Sequence, residues 1–403
     1  MIERIFYPVG QGAFYVEKHG DKNIVYDCGS STFDEAKESD KKKKRIIADA
    51  FSKEEEIDIL FISHFHEDHV NMIPFLKDRV HIKRVVMPLL DPKEEAFLSF
   101  IYGDGDKDNY LVELIRNPEG FFGKGTLITH VDSYKEGDDV DIPFEEVPTE
   151  MLKSGTPIPF SNGCGFDWIF VPYNFKHEER RELFKEKLKK ELTNKEYDDS
   201  LKILEEDPNL DLFFQHKKSG LTVLGKKVKS IYEKMPGKDP INENSMLLYS
   251  GPISEKHRYS FHCFSGKISL SQNRFCFNFD FNFYLSFYFY RDVKRVGSIY
   301  TGDANLKDDE MLRAFKASMK SFGDRVGTMQ IPHHGSFKNY SKEIFDIFKR
   351  PLVCPISFGK ENRYRHPSTR IIIDILRNNS FPVLVTEDID TLCVELIDYY
   401  PFG

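Results

Sequence analysis

The chain has 403 residues, 30% charged and 40% hydrophobic, with 57 Lys and Arg against 65 Asp and Glu for a net charge of −8. That balance excludes a disordered chain, and the length supports a substantial core in one large domain with insertions or in two ordinary ones. The mild acidity argues against a protein that coats nucleic acid, although local charge decides for a groove.

Six cysteines stand singly, without a C-x-x-C pair, which fits a reduced intracellular chain. Met1-Ile-Glu-Arg-Ile-Phe lacks the order of a signal peptide, and no window holds 18 consecutive apolar residues, so a cytoplasmic protein with no membrane partner is expected.

The elements begin with β-runs at Ile5–Val9, Ala13–Val16 and Asn23–Tyr26, the last ending at Asp27-Cys28-Gly29. Asp34 to Lys53 carries Ile46, Ile47, Ala50 and Phe51 at helical spacing, and Ile57–Ile62 is a short apolar strand. A helix over Val70–Lys77 and a strand over Val85–Pro88 continue the β/α alternation of a layered sheet-and-helix fold. Lys41 to Arg45 reads as an exposed helix face, and Asp104 to Asn109 as an acidic turn, since calcium-loop positions six and twelve are Asn109 and Ile115.

From 143 to 240 the character changes. Glu178 to Glu206 is dense in Lys and Glu at helical spacing, with Leu183, Leu188, Leu192, Leu201 and Leu204, and predicts amphipathic helices in a mainly helical insertion. Lys217 to Lys238 holds seven Lys and one acidic residue, which reads as a solvated surface with phosphate contact as the alternative. Three segments follow: 1–142 and 241–403 as halves of one domain, and 143–240 between them. Strand character returns at Ser245–Ser250 and at Phe275 to Tyr290, where odd positions are Phe or Leu. That alternation predicts a β-ribbon, with a covered sheet face as the simple reading and base stacking as the other. Ser298–Thr301, Pro351–Phe358, Val383–Val385 and Leu392–Ile397 are further strands.

The chemistry concentrates at Ser63-His64-Phe65-His66-Glu67-Asp68-His69, four metal-competent side chains directly after an apolar strand. On extended backbone His64 and His66 point the same way, while Asp68 and His69 on the following turn face a second point nearby. Asp303 follows a strand through Gly302, and His333, His334 and His366 follow later β-runs, so six of the thirteen histidines lie in three strand-end segments. His130 is a weaker strand-end candidate.

With these residues the sequence resembles the metallo-β-lactamase superfamily of hydrolases, through His64-x-His66-x-Asp68-His69, Gly302-Asp303 and His366. Val9-Gly10-Gln11-Gly12, Tyr26-Asp27-Cys28-Gly29, Asn242-x-Asn244-Ser245, Pro332-His333-His334-Gly335-Ser336 and His366-Pro367-Ser368 are similar to the branch with the nuclease-like domain of competence DNA-uptake channels. The likeness covers most of 1 to 135 and 241 to 400.

The resemblance implies an αββα sandwich, with the site at one edge, that binds two divalent metal ions, zinc being the first expectation and manganese or iron alternatives. His64 and His66 would hold one metal, Asp68, His69 and His366 the other, and Asp303 both. Many members supply a third histidine to the first metal between the motif and the aspartate. This chain has Asn242 and Asn244 there, and His334, or else His333, is expected in its place. Hydroxide held by Asp68 and Asp303 would attack, with His333 donating a proton to the leaving group. Arg363, Arg365 and Asn244 are the candidate substrate contacts. The implied activity is a nuclease or other phosphodiesterase acting on nucleic acid or nucleotide. Its alternatives are a hydrolase of a nucleotide signal, thioester or lactone, and a non-catalytic binding module. A homo-oligomer is compatible with the sequence.

Overall fold

The computed structural model describes residues 1–403 except 34–36, 104–108, 136–149, 161–167, 176–178, 207–212, 214–220, 234–244, 254–257, 266–269, 272–273, 276–294, 349–350 and 401–403. Asn242, Asn244, nearly all of the phenylalanine-rich ribbon, both ends of the Lys217 to Lys238 stretch and both borders of the expected insertion lie outside the described residues.

Two sheets carry the architecture. A nine-stranded sheet runs in the order Arg258–Ser265, Cys393–Tyr400, Ile2–Phe6, Phe14–His19, Lys22–Cys28, Ile59–Phe61, Arg84–Pro88, Leu127–Val131, Met151–Leu152. A seven-stranded sheet runs Ile158–Phe160, Trp168–Asn174, Met246–Pro252, Gly297–Tyr300, Val326–Met329, Val353–Ser357, Phe381–Val385. Period-two alternation sorts each strand's side chains into two layers. Val16, Val25 and Leu60 face the helices outside the first sheet, while Tyr15, Tyr26 and Phe61 face the second sheet. On the second sheet Leu247 and Tyr249 meet the helices Asp309–Ser318, Ile344–Phe348 and Thr369–Arg377, and Met246 and Leu248 point inward. The result is an αββα sandwich with three apolar layers.

Among its described residues, the stretch read as a helical insertion also holds sheet strands. Met151–Leu152 ends the first sheet, and Trp168–Asn174 pairs over its whole length with Met246–Pro252. All seven residues of Trp168–Asn174 are buried, so no polar alternation marks it, and Pro172 argues against an interior strand. The helices follow at Glu179–Glu191, Asn194–Glu206 and Val223–Glu233. The first and third dock through Phe184 and Tyr232 against Phe97, and Phe213, between the second and third, packs on Phe100. No helix among the described residues is long and apolar enough to cross a membrane.

Between the sheets lies a polar knot with no solvent access. Arg4 donates to Glu17 at 2.9 Å and to Glu395 at 2.6 Å, tying neighbouring strands of the first sheet. Glu17 accepts from Tyr300 (2.6 Å) and Ser250 (2.8 Å), and Glu395 from Thr328 (2.7 Å), all three on the second sheet. Charges so deeply buried persist only when every lone pair finds a partner, and these bonds fix how one sheet sits on the other. Burial alone would raise the Glu17 carboxyl, but Arg4 and His19 hold it well below the usual carboxylate range.

Candidate metal centre

The site gathers at the carboxyl ends of parallel strands. Lys22–Cys28, Ile59–Phe61 and Arg84–Pro88 are parallel in the first sheet, as are Gly297–Tyr300, Val326–Met329 and Val353–Ser357 in the second. Asp27 ends the first of these, residues 62–69 follow the second, Asp303 follows Tyr300, and His333 and His334 follow Met329. Chain that leaves a strand end is free to turn into the crevice between sheets, which is why the polar groups collect there.

The loop bearing His64 to His69 is seated by two glycines of the opening segments. A Cβ at Gly12 would lie 2.6 Å from the Asp68 carbonyl oxygen, and one at Gly29 would lie 2.5 Å from the Asp68 carbonyl carbon. Both positions therefore require glycine, and Ala13 N–H donates to the Asp68 carbonyl at 3.2 Å. Asp68 and His69 then sit on the short helix Glu67–Val70 and project in different directions.

Behind the imidazoles lies a row of acceptors that sets their tautomers. Asp27 Oδ1 accepts from Ser63 N–H (2.7 Å), and Oδ2 accepts from Ser63 Oγ–H (2.7 Å) and His69 Nδ1–H (2.7 Å). With its proton given to Asp27, Ser63 Oγ accepts from His64 Nδ1–H at 2.8 Å, and Ser245 Oγ lies 3.1 Å from the same nitrogen. His334 Nδ1–H donates to the Ser357 carbonyl at 2.9 Å. In all three rings Nδ1 has an acceptor for its proton, which leaves Nε2 as the nitrogen that faces inward and would meet a cation.

There the Nε2 atoms meet two carboxylates. His69 Nε2 is 3.1 Å from Asp303 Oδ1, and His334 Nε2 is 3.2 Å from Asp68 Oδ2 and 3.6 Å from Asp303 Oδ1. His64 Nε2 is buried without a hydrogen-bond partner, an orphaned lone pair aimed at the cluster. The donor atoms of His64, His69 and Asp303 lie within 4.8 Å of one another, and so do those of Asp68, His69 and His334. Buried imidazole nitrogens and carboxylate oxygens in this arrangement fit divalent cations such as zinc, manganese or iron.

Charge balance reflects the crowding. Burial alone would raise both carboxyls, but His66 and His334 hold Asp68, and His333, His334 and His69 hold Asp303, well below the carboxylate range. For His69 burial opposes charge, yet Asp303 and Asp27 push its pKa well above the ordinary value. Burial, with His69 adding to it, pushes His64 well below the ordinary value. Burial raises Asp27 despite its partner His69.

The grouping differs from the one the resemblance implies. His69 is common to both donor sets; His66 Nδ1 hydrogen-bonds Asp68, and the His66 side chain is 26% exposed. His366 packs edge-on against His333 with ring centroids 6.0 Å apart, and His333 Nε2 is 3.8 Å from Asp303 Oδ2. His130 lies next to the end of Leu127–Val131, in register with Met87, and is in neither donor set. Arg363 and Arg365 are on the loop before His366, Arg365 exposed and Arg363 at its surface. His333 and His334 occupy the left-handed region at φ 48° and 55°, a conformation costly for residues with a Cβ and concentrated at functional sites.

Sequence reasoning assigned no role to Asp27, Ser63, Ser245, Ser357 or Asn362. Asp27 was detectable as the carboxylate near the end of an apolar strand just before Gly29, while the serines and Asn362 carry no signal of a role in the sequence until the fold brings them beside the imidazoles.

Comparison with known proteins follows the same division. The Metallo-beta-lactamase superfamily model matches residues 7–151, which contain His64 to His69 but stop short of Asp303 and the later histidines. No curated protein matches. A solved structure of a point mutant of the CmlA beta-hydroxylase aligns with TM-score 0.39 and 9% identity over 99% of this chain and 54% of that one, so this chain spans about half its length. The αββα sandwich is the metallo-β-lactamase fold, and residues 7–151 match the metallo-β-lactamase superfamily model.

Proposed function

We propose that this protein is a two-metal hydrolase of phosphodiesters, acting on nucleic acid or on a nucleotide. The observation that supports the reading is the gathering of five buried donors, His64, Asp68, His69, Asp303 and His334, in one cluster, more ligands than one three-donor set needs; His69, with one inward-facing nitrogen, would serve one cation at a time. Two cations in one cluster suit in-line displacement at phosphorus, where attacking and leaving oxygens both need charge compensation. Two divalent cations, zinc first among the candidates, would supply Lewis acidity that acidifies water and neutralises charge developing on the phosphate oxygens.

The chain's own groups divide the remaining work. His64, His69, Asp303, Asp68 and His334 hold the cations, with His66 and His366 at the margin of the cluster. Asp68 and Asp303 accept hydrogen bonds from the attacking water and orient it. His333, beside Asp303 and with Nδ1 unpartnered, is placed to pass a proton to the departing oxygen. Arg363 and Arg365 offer planar forks to the phosphates that flank the bond being cut. Asn244 stays a candidate substrate contact on its place in the sequence, next to Ser245.

The test is metal analysis of purified protein, then incubation with single-stranded DNA, RNA, cyclic dinucleotides and activated carboxyl esters, using Asp68→Ala and His69→Ala as controls. The reading expects bound metal and cleavage of a phosphodiester that both substitutions abolish. Turnover of esters or thioesters alone would replace it with the small-molecule alternative. Bound metal absent and nothing cleaved would leave a binding module.

A further inference from the structure

Two parallel neighbours of the second sheet, Gly297–Tyr300 and Val326–Met329, must part where their chains turn into the site, and one side chain bridges the gap. Thr301 and Gln330 are the first residues beyond these strands, and both are buried. Gln330 N–H still donates to the Ile299 carbonyl at 2.9 Å, and from there its side chain takes over. Its Oε1 accepts from Thr301 N–H (2.9 Å) and Gly302 N–H (3.1 Å), and its Nε2–H donates to the Gly302 carbonyl at 3.3 Å. Thr301 Oγ–H donates to the Gln330 carbonyl at 3.1 Å. A carboxamide offers the same kinds of donor and acceptor as a peptide group, so Gln330 prolongs the sheet past the point where the second strand has left it.

The turn held in this way delivers Asp303. Gly302 sits in the left-handed region at φ 51°, where a Cβ would lie 2.9 Å from Ser63 Oγ. A glycine has no side chain to fix its own conformation, so the shape of the turn is imposed by its partners. Those partners are Gln330 on Thr301 and Gly302, and Ser245 Oγ, which accepts from Asp303 N–H at 3.0 Å. The Gly302 carbonyl also accepts from His333 N–H at 3.1 Å, which joins the aspartate's turn to the segment bearing His333 and His334. Without the Gln330 amide, the buried N–H groups of Thr301 and Gly302 lose their acceptor. The Gly302 peptide then rotates to find another, and the Asp303 carboxylate turns with it.

We propose that Gln330 is a positioning residue of the metal centre, which through Gly302 aims the Asp303 carboxylate at the cation that His64 or His69 also binds. The inference rests on the cation-binding part of the reading above and is indifferent to which bond is cut. The Gln330 amide bonds to backbone groups of the turn, so its effect on the centre comes through the placement of a ligand. Outer partners of this kind act on metal affinity because they orient the groups that touch the metal.

The experiment measures zinc affinity of the full chain by chelator competition, and the visible spectrum of its cobalt(II) form, in wild type, Gln330→Met, Gln330→Asn and Thr328→Val. Methionine keeps the length of the side chain without its amide; asparagine, the gentler change, keeps an amide that falls one methylene short of the turn. Thr328→Val removes a buried hydrogen bond of the same strand, the one to Glu395 at 2.7 Å, and measures what such a loss does by itself. Both Gln330 substitutions are expected to weaken zinc binding about 10- to 100-fold and to change the cobalt spectrum, because a carboxylate ligand has turned away. Thr328→Val is expected to lower the unfolding temperature while keeping the zinc affinity and cobalt spectrum of the wild type. Wild-type affinity and spectrum in a folded Gln330 variant would overturn the proposal, and so would an equal loss of affinity in Thr328→Val. If the wild type binds neither zinc nor cobalt, the metal reading falls and this inference with it. If Gln330 governs affinity while no phosphodiester is cut, the positioning role stands and the hydrolytic reading falls.

Discussion

Replacing Asp27 by asparagine changes one atom behind the metal centre and should disarm two of its imidazoles. In the wild type the Oδ2 atom accepts from both Ser63 Oγ–H and His69 Nδ1–H at 2.7 Å. With an amide NH2 in that position, His69 Nδ1–H faces a donor and loses its acceptor. The proton then moves to Nε2, the atom that faces Asp303 at 3.1 Å. Ser63 Oγ now accepts from the amide, so its hydroxyl proton turns toward His64 Nδ1 at 2.8 Å and leaves the His64 proton on Nε2 as well. Losing one such outer partner lowers metal affinity about 10- to 100-fold, or about 1.4 to 2.7 kcal/mol, and the coupling through Ser63 places Asp27→Asn at the upper end. Asp27→Ala goes further, leaving Ser63 N–H, Ser63 O–H and His69 Nδ1–H buried without an acceptor, at about 3 kcal/mol of stability or more. Zinc affinity by competition with a chromophoric chelator reads the first effect, and thermal unfolding by circular dichroism the second. Wild-type zinc affinity in a folded Asp27→Asn protein would refute the tautomer argument.

Other consequences follow from the same contacts. Arg4→Met strands the Glu17 and Glu395 carboxylates between the sheets and is expected to destabilise the fold by about 3 to 5 kcal/mol in denaturant titration. Because folding depresses the Glu17 pKa, that ion pair contributes fully at neutral pH. Its contribution begins to fall once pH drops below the ordinary glutamate range and disappears only below the depressed folded value. The gap in stability between wild type and Arg4→Met should therefore narrow on acidification, and a constant gap would count against the knot. Gly29→Ala drives a methyl into the Asp68 and His69 backbone, and metal content measured by mass spectrometry should fall sharply even if the protein folds. Phe97→Ala removes the ring that Phe184 and Tyr232 pack against, and limited proteolysis should then open the helices at 179–233 before the sheets.

Much of the sandwich could be read from alternation. Asn23–Tyr26 declared itself as a strand, Ile57–Ile62 divides into Glu56–Ile57 in a small two-stranded sheet and Ile59–Phe61 in the large one, and Asp303, His333 and His334 come soon after the strands Gly297–Tyr300 and Val326–Met329. Trp168–Asn174 was hidden, because a strand covered on both faces shows no polar alternation and its proline points away from a sheet interior. The helices of 179–206 showed in their leucine spacing, yet nothing in that spacing says that Phe184 docks on Phe97. At the site, residue types pointed to candidate donors, but the grouping among them depends on rotamers. His66 turns its Nδ1 to Asp68, and His334 brings its Nε2 to the same carboxylate, relations that distance along the chain does not encode. Ser63, Ser245 and Ser357 were illegible for a simpler reason: a serine acquires its role from whichever imidazole the fold places beside it.

The most direct measurement is an anomalous difference map from a crystal grown with zinc, recorded at the zinc absorption edge. Two peaks are predicted within the cluster of His64, Asp68, His69, Asp303 and His334, with His69 bonded to one of them. A map with no peak within bonding distance of His69, at full zinc occupancy elsewhere in the crystal, would contradict the account.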